Sequence, residues 1–437
     1  MNSTRTRRVL LAAVGVAALA LPLAACSSGG DGGGEGGTEI TFLVPNAGTN
    51  VESAEAMIAA FEDENPDITV KVESQPAGTE GDNLMKTKLA TGEMSDVFWY
   101  NSGSLFQALN PDQNLAPLSD ESWVGDMQEG MAAVVSTDNG VYGAPFGATQ
   151  AGAVVYNKKI YADLGLEIPT SWDEFAANNE AIKAAGIAPV IQTYGDTWTS
   201  QLFILGDFGN VLAQDPEWGE EYTAGERKYV DEPASQGFLN QQVGFESDWW
   251  NEDFASALYD DGARMVATGE GAHYPILTGI VSTFQQNFPD ELENIGVFAL
   301  PAQKAEDTKL TVWLPNAVYI PKTTEGDKLE AAKKFVAFIN SSAGCDVQNT
   351  AMVPSGPYAI DSCTLPDDVP GLLKDMQVYF DEGNTNPALE FLSPIKGPNL
   401  ENITVEVGSG IRPAEDGAAL YDEDVKKQAQ QLGLDGW

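Results

Sequence analysis

The sequence predicts an α/β protein with two domains and mainly parallel sheets. Short runs of apolar and β-branched residues alternate with segments of helical periodicity through the first hundred residues. This alternation is typical of parallel strands joined by helical crossovers. The chain has 437 residues, which is too long for one hydrophobic core of ordinary size and favours two domains.

The N-terminal part of the chain carries the clearest strand and helix alternation. Apolar residues recur at the i, i+3, i+4 and i+7 positions of the first helix, and a glycine after the second helix provides a stop signal. The predicted elements are a strand at 39–44, a helix with Ala54, Met57, Ile58 and Phe61 on one face, a strand at 68–72, a helix at 83–90 ending before Gly92, and a strand at 96–100.

The α/β pattern continues through the rest of the chain. Ser171 is suited to cap a helix, because Glu174 follows three residues later as its capping-box partner. A second helix is strongly amphipathic. The sequence predicts this amphipathic helix at 328–340 and further strands at 141–145, 153–156, 188–191, 295–300 and 311–320.

The first 25 residues have the features of an export signal. Three arginines precede an apolar run that ends in small residues. A membrane-spanning helix is the alternative, but it needs about 20 apolar residues, and this run is shorter and interrupted by Pro22. Leu23-Ala24-Ala25-Cys26 resembles the lipobox of bacterial lipoproteins. This resemblance implies that Cys26 is lipidated after cleavage and anchors the protein to the membrane.

Residues 26–38 are predicted to form a flexible Gly/Ser-rich tether. The segment has no apolar side chain that a core could bury after Cys26, and such chains behave as flexible coil. A phosphate-binding loop is the alternative, but no GK[ST] ends the run and no strand leads into it.

The charge balance excludes some classes of function. The formal net charge is −42, from 65 acidic and 23 basic residues. Nucleic-acid binding needs basic patches, so neither nucleic acid nor an anionic substrate is expected. We interpret the excess charge as a solvated acidic surface.

Cys345 and Cys363 are the two cysteines besides Cys26. In an exported protein an isolated pair is expected to form a disulfide, which would stabilise the fold by roughly 3 kcal/mol. A metal site is the alternative, but the chain has no CxxC, and its single histidine, His273, lies far away in sequence. We therefore predict a disulfide, no metal and no cofactor.

Five stretches, taken together and in order, resemble one family. The chain is similar to the extracellular solute-binding proteins of ABC importers, in the sugar-binding group that includes maltose-binding protein. The stretches are ITFLVPNAGTNVESAEAMIAAFEDENPDITVKVE, GVYGAPFGATQAGAVVYNKKIYADLGLEIPTSWDEF, GARMVATGEG, NIGVFALP and AVYIPKTTEGDKLEAAKKFVAFINS.

The resemblance implies a two-lobe fold with a ligand cleft. Each lobe would have a mainly parallel sheet flanked by helices, with hinge strands crossing between the lobes. Lobe one would comprise 39–146 and 300–340, and lobe two 147–299 and 341–437. The implied protein is a monomer, held by its lipid at the extracellular face of the cytoplasmic membrane, that passes a solute to permease subunits.

The resemblance also implies which residues contact the ligand. A sugar offers C–H faces to aromatic side chains and hydroxyls to amides and carboxylates. The family often places a tryptophan soon after the second glycine of GARMVATGEG, and this chain has none there. Glu270, His273 or Tyr274 is expected to replace it. The other candidates are Asn46, Tyr100, Asn101, Ser102, Gln150, Trp198 and Trp313, the last of which either stacks on the sugar or fills the core.

Two other functions remain open at this stage. A secreted glycoside hydrolase is a remote alternative, since aromatic clefts and carboxylate pairs suit that chemistry, but no GxSxG or HExxH motif is present. The importer could instead carry a polyamine, a peptide or an osmolyte, because fold alone does not fix the cargo.

Overall fold

The structure is a computed structural model that describes residues 37–46 and 50–437. The predicted export signal, the lipidation at Cys26 and residues 26–36 of the tether lie outside the described residues. The last tether residue, Thr38, already belongs to the first strand. Within the described part, no helix is both long enough and apolar enough to cross a membrane.

Thirteen strands are present in the described residues, most of them short. They are β1 Thr38–Pro45, β2 Ile68–Gln75, β3 Val97–Tyr100, β4 Ser136–Thr137, β5 Gly140–Val141, β6 Gly143–Pro145, β7 Gln150–Asn157, β8 Ala188–Val190, β9 Gly271–Leu277, β10 Ile295–Ala299, β11 Leu310–Trp313, β12 Ala317–Tyr319 and β13 Thr385–Pro387.

Helices cover the sheets and connect the strands. The α-helices are α1 Asn50–Glu64, α2 Gly78–Thr91, α3 Ser104–Gln107, α4 Pro111–Asn114, α5 Glu129–Val134, α6 Lys158–Leu164, α7 Trp172–Ala184, α8 Leu202–Leu205, α9 Phe208–Gln214, α10 Trp218–Thr223, α11 Gln236–Glu246, α12 Tyr259–Thr268, α13 Val281–Asn287, α14 Gly326–Ile339, α15 Ser342–Ala351, α16 Gly371–Asp381, α17 Leu400–Gly408 and α18 Ala414–Leu432. Short 3-10 helices lie at Ser122–Asp126, Thr197–Gln201, Thr278–Ile280, Pro289–Asn294, Ala305–Asp307 and Leu389–Phe391.

The first sheet has the strand order β2-β1-β3-β12-β6. The three N-terminal strands pair in parallel, and β12 is antiparallel to both of its neighbours. The predicted apolar face of α1 is buried. Its Phe61 packs against Phe335 and Phe338 of α14, with ring centroids 5.1 and 5.6 Å apart, so these helices close one face of the core.

The second sheet is less parallel than expected. Its strand order is β13-β11-β7-β9-β8, and β10 also pairs with β7. The long strand β7 is antiparallel to β9, β10 and β11, whereas β8–β9 and β11–β13 are parallel. The predicted capping box of α7 is present, with Ser171 and Glu174 as the reciprocal pair.

The predicted strand at 311–320 is two strands that lie in different sheets. The first ends at Trp313 and the second begins at Ala317. Pro315 lies between them and has no N–H to donate to a strand ladder. The chain therefore crosses between the sheets at 314–316, and it makes a second such crossing at 146–149. The two crossings meet where the Phe146 N–H donates to the Asn316 carbonyl (2.9 Å).

Packing places two segments differently from the predicted lobe boundaries. Strand β11 lies in the second sheet, whereas the family resemblance predicts that 300–340 belongs to lobe one. Helix α15 and the segment from Tyr358 to Cys363 pack in the core of the first sheet, whereas the family resemblance predicts that 341–437 belongs to lobe two. The chain returns to the second sheet only at 364–371, because α16 packs on β10.

Candidate ligand-binding cleft

Three adjoining cavities form one cleft between the two sheets. We name them the outer cavity (about 420 Å³), the central cavity (about 230 Å³) and the hinge-side cavity (about 220 Å³). The central cavity shares Asn101, Trp198 and Lys396 with the outer cavity. It shares Gln150 and Asn316 with the hinge-side cavity, so the three spaces are continuous.

The central cavity brings together five of the residues predicted from the sequence. Asn101 and Ser102 follow β3 of the first sheet, and Gln150, Trp198 and Trp313 come from the side of the second sheet. A solute in this cavity would therefore contact both sheets. That is the arrangement expected where ligands bind beyond strand ends in α/β folds.

Strand pairing explains why Gln150 and Trp313 face the same space. The two residues are direct partners in the antiparallel pair of β7 and β11, and paired residues project from the same face of a sheet. Glycine makes room for the indole of Trp313. A Cβ atom added to Gly152 would lie only 2.5 Å from Cζ3 of this ring, so the ring and the strand backbone are in close contact.

Trp198 provides a second aromatic surface at the cleft. Its 3-10 helix, Thr197–Gln201, presents the side chain at 36 % exposure, beside the ring of Tyr259 at 5.6 Å. The Trp198 carbonyl accepts a hydrogen bond from Nε2 of Gln201 (3.0 Å). An exposed tryptophan fixed in this way can cover the apolar face of a ligand.

The amide side chains of the central cavity are free to bind a ligand. Asn101, Gln150 and Asn316 make no side-chain hydrogen bond within the described part of the chain, and each is only partly buried. Ser102 differs, because its hydroxyl donates to the Pro315 carbonyl (2.9 Å) and holds a crossing segment in place. Each free amide can both donate and accept a hydrogen bond.

Comparison with known proteins identifies the family. Residues 47–344 match the family described as bacterial extracellular solute-binding protein. The chain belongs to this family. A multiple sugar-binding protein of Streptococcus mutans is 25% identical over 311 residues, covering 70% of this chain and 71% of the relative.

Solved structures share the fold of this solute-binding protein. A chitin oligosaccharide binding protein superposes with a TM-score of 0.77 at 20% identity, covering 90% of this chain and 99% of that one. The raffinose complex of the solute-binding protein RafE gives a TM-score of 0.74 at 20% identity, with the same coverage. These neighbours are two-lobe proteins, so the predicted α/β two-lobe fold is confirmed.

Charged residues that no sequence pattern predicted also line the cleft of this solute-binding protein. Lys396 borders both the central and the outer cavity, and its Nζ lies 3.6 Å from Oε2 of Glu390. Asp82, Lys86 and Glu401 line the outer cavity. Burial raises the pKa of Asp82, while a contact with Tyr100 and the charges of Lys86 and Lys396 act in the opposite direction.

Tyr100 lies beneath the cleft and does not line its cavities. The residue is 4 % exposed, because it is in the middle strand of the first sheet. Burial, followed by the nearby carboxylate of Asp82, raises the pKa of the Tyr100 hydroxyl. The side chain therefore stays neutral, and its expected role as a stacking contact is replaced by packing.

His273 lies in the core, outside the three cavities. It lies on β9, which is paired on both edges. Its ring nitrogens lie 2.7 Å from the Tyr161 hydroxyl and 2.9 Å from Oδ1 of Asn179. Burial lowers the pKa of His273 to about 3, so the imidazole is neutral at physiological pH. Strand pairing placed it inside the sheet.

The remaining predicted contacts also lie outside the three cavities. Tyr274 is buried with its hydroxyl 2.7 Å from Oγ1 of Thr193. Glu270 lies at the surface, where it forms an ion pair with Arg264. Asn46 is exposed at the end of β1. None of the three is retained as a ligand contact.

The described residues contain no group of three or more potential metal ligands of the His, Cys, Asp or Glu type. Cys345 and Cys363 are paired in a disulfide, with their Cα atoms 5.2 Å apart. The polar groups that line the cleft are amides, hydroxyls, three carboxylates and two ammonium groups, all of which can form hydrogen bonds with a solute.

Proposed function

We propose that this solute-binding protein binds a carbohydrate in the cleft and delivers it to the permease of an ABC importer. One observation carries the proposal. Two tryptophans, Trp198 and Trp313, and three free amides surround the same central cavity, which both sheets line.

The chemistry of this lining fits a sugar. Each pyranose ring has C–H groups that pack on an aromatic face, and a rim of hydroxyls that both donate and accept hydrogen bonds. Trp198 and Trp313 supply the aromatic faces. Asn101, Gln150 and Asn316 supply donors and acceptors without a net charge, as a neutral polar solute requires.

The names of similar proteins support this cargo. Curated relatives include a multiple sugar-binding protein of Streptococcus mutans and a diacetylchitobiose binding protein of Streptomyces coelicolor. The combined volume of the three cavities favours an oligosaccharide over a single sugar unit.

The charges in the cleft disfavour a polyamine. A polyamine site would surround the ligand with carboxylates and aromatic rings. Here the carboxylates Asp82, Glu390 and Glu401 are opposed by the ammonium groups of Lys86 and Lys396. The cleft is thus close to charge balance, although the chain as a whole has a formal charge of −42.

Delivery would follow from closure of the cleft. A sugar that contacts both lobes only when they are closed selects the closed state, which the permease can then recognise. We propose that a monomer is held at the extracellular face of the membrane by a lipid on Cys26, which raises its effective concentration near the permease. The sugar would be bound and released unchanged.

A thermal-shift screen of the mature protein tests this function. The panel holds raffinose, stachyose, diacetylchitobiose, galactose, spermidine and short peptides. At about 100 times its dissociation constant, a bound sugar should add about 2.7 kcal/mol to the free energy of unfolding. Chromatography of the same samples should show the sugar intact.

Two results would contradict the proposal. A shift with spermidine or peptides alone would replace carbohydrate as the cargo. Cleavage of a sugar, abolished by replacing one cleft carboxylate, would make the protein a glycoside hydrolase. The variant Trp437→Ala is a matched control for tryptophan loss, since Trp437 packs beside Tyr222, outside the cleft.

A further inference from the structure

We call the two crossings between the sheets, 146–149 and 314–316, the hinge. The disulfide between Cys345 and Cys363 closes a loop that borders this hinge. The loop contains the second half of α15 and residues 352–358. Met352, Val353, Pro354 and Ser355 line the hinge-side cavity. The disulfide is therefore at the base of a segment that forms part of the cleft wall.

The same loop is hydrogen-bonded to the 146–149 crossing between the sheets. Gln348 lies three residues after Cys345 on α15, and its Oε1 accepts a hydrogen bond from the Gly147 N–H (2.8 Å). Gly147 has a φ of 100°, a conformation that favours glycine. The Pro357 carbonyl accepts a second bond from the Thr149 N–H (2.8 Å). Both donors belong to the 146–149 crossing.

The loop also contacts the side of the second sheet. The Ser355 carbonyl accepts a hydrogen bond from Oγ1 of Thr278 (2.9 Å), which in turn accepts one from the Ala151 N–H (2.9 Å). The hydroxyl of Ser355 donates to the Thr149 carbonyl (3.2 Å). One short segment thus connects the 146–149 crossing, the start of β7 and the cavity wall.

The covalent bond adds a constraint that the hydrogen bonds alone do not provide. Cys345 and Cys363 are 3 % and 7 % exposed and lie in the core of the first sheet. Joining them removes conformational freedom from the chain between them. The hydrogen-bond acceptors for Gly147 and Thr149 lie within this restricted stretch.

We propose that the disulfide is a positioning element for the hinge, which fixes the 352–358 wall and the 146–149 crossing in the geometry that binds solute. Its effect on the hinge is independent of the cargo. Its effect on affinity rests on the proposed carbohydrate function, because preorganising a binding wall reduces the entropy lost on binding.

Hydrogen exchange of the ligand-free mature protein tests the first part. In the double variant Cys345→Ser/Cys363→Ser, the amides of Gly147 and Thr149 should exchange roughly ten-fold faster than in the wild type. The amide of Phe146 is an internal control, since it bonds to the other crossing and not to the loop. Exchange of Gly147 and Thr149 at the wild-type rate would overturn the proposal.

Two further variants separate positioning from general stability. Val336→Ala removes buried volume from α14 and so lowers stability without touching the disulfide. Each protein is measured at the same interval below its own melting temperature. Under these conditions Val336→Ala should leave the ratio of the Thr149 exchange rate to the Phe146 exchange rate unchanged. Gln348→Met keeps the disulfide and should accelerate Gly147 but not Thr149. Equal acceleration of all three amides in the double variant would mean that the disulfide only stabilises the lobe.

Calorimetry with the panel sugar that gives the largest thermal shift tests the second part. The double variant should bind it roughly five-fold more weakly than the wild type, whereas Val336→Ala should bind it equally. Unchanged affinity in the double variant would refute the link to binding. If no panel sugar binds the wild type, the proposed function fails, and the exchange experiment still decides the role of the disulfide at the hinge.

Discussion

The central cavity and the core around His273 contain similar residue types but use them differently. In the core, His273 bonds to Tyr161 and Asn179, and Tyr274 bonds to Thr193. In the cavity, the amides of Asn101, Gln150 and Asn316 have no such partners within the described residues. The ring nitrogens of His273 and the hydroxyl of Tyr274 thus have partners in the core, whereas the three amides of the cavity remain available to a ligand.

The position of each strand in its sheet explains this difference. Strand β9 pairs on both edges and is covered by helices, so polar side chains on it are buried and must be hydrogen-bonded. Gln150 and Trp313 lie at strand ends that open into the cleft. Unpartnered amides beside the accessible rings of Trp198 and Trp313 therefore distinguish the candidate binding site from the packed core.

The largest expected effect is the loss of the aromatic surface in the cavity. Trp313→Ala should weaken sugar binding by about 2 to 3 kcal/mol, roughly 30- to 150-fold, because an anchor residue in a well-formed pocket carries much of the binding energy. Isothermal titration calorimetry measures the change. Trp437→Ala, the same substitution outside the cleft, should leave the dissociation constant unaltered. Equal affinity in Trp313→Ala would show that this ring only packs.

His273 provides the opposite case, in which folding changes and binding does not. His273→Leu leaves the Tyr161 hydroxyl and Asn179 without their partner, so the free energy of unfolding should fall by about 2 kcal/mol at pH 7. Urea unfolding measures this loss. The affinity for sugar, measured on the folded variant, should match the wild type. A weakened affinity would place His273 in the binding machinery.

The pH dependence sharpens the same test. The pKa of His273 is about 3 in the fold against 6.5 for an ordinary histidine. As pH falls through 6.5, His273 gains a proton in the unfolded chain but not in the folded chain. The free energy of unfolding of the wild type therefore declines. The stability gap between wild type and His273→Leu should narrow by ~2 kcal/mol from pH 7 to pH 5. A constant gap would contradict the lowered pKa. No second histidine complicates the reading.

The smallest effect tests how closely the cavity is packed. In Gly152→Ala the new methyl group would meet Cζ3 of Trp313 at 2.5 Å, so the ring must shift and binding should weaken about ten-fold. Gly130→Ala is the control, since a Cβ there has no heavy atom within 4 Å. Calorimetry measures the dissociation constants of both variants. If Gly152→Ala binds sugar as strongly as Gly130→Ala, the position of the Trp313 ring is not critical for binding.

Much of the fold follows from local sequence patterns. The helical face of α1, the stop at Gly92 and the capping box of α7 are each encoded within a few residues, and each is present in the structure. Local sequence patterns do not determine which sheet a strand joins. The 311–320 run has strand character throughout, but its two halves pair with partners more than a hundred residues away.

The candidate site shows the same limit. Gln150 and Trp313 could be nominated individually from the family resemblance, but their direct pairing depends on the register of β7 and β11. The family resemblance predicts His273 and Tyr274 in the cleft, because they follow the GARMVATGEG stretch, but both are buried on the paired strand β9. No sequence pattern predicts that Lys396 lies in the cleft, because it is an isolated lysine in a C-terminal loop.

A crystal structure of the mature protein with the strongest-binding panel sugar would show directly whether the cleft is the binding site. We expect a sugar in the central cavity, with Trp198 and Trp313 within about 4 Å of its ring carbons and hydrogen bonds to side chains from both sheets. A sugar bound outside the cleft, or one held by residues of a single sheet, would contradict the claim that the cleft is the site and that the ligand joins the two lobes.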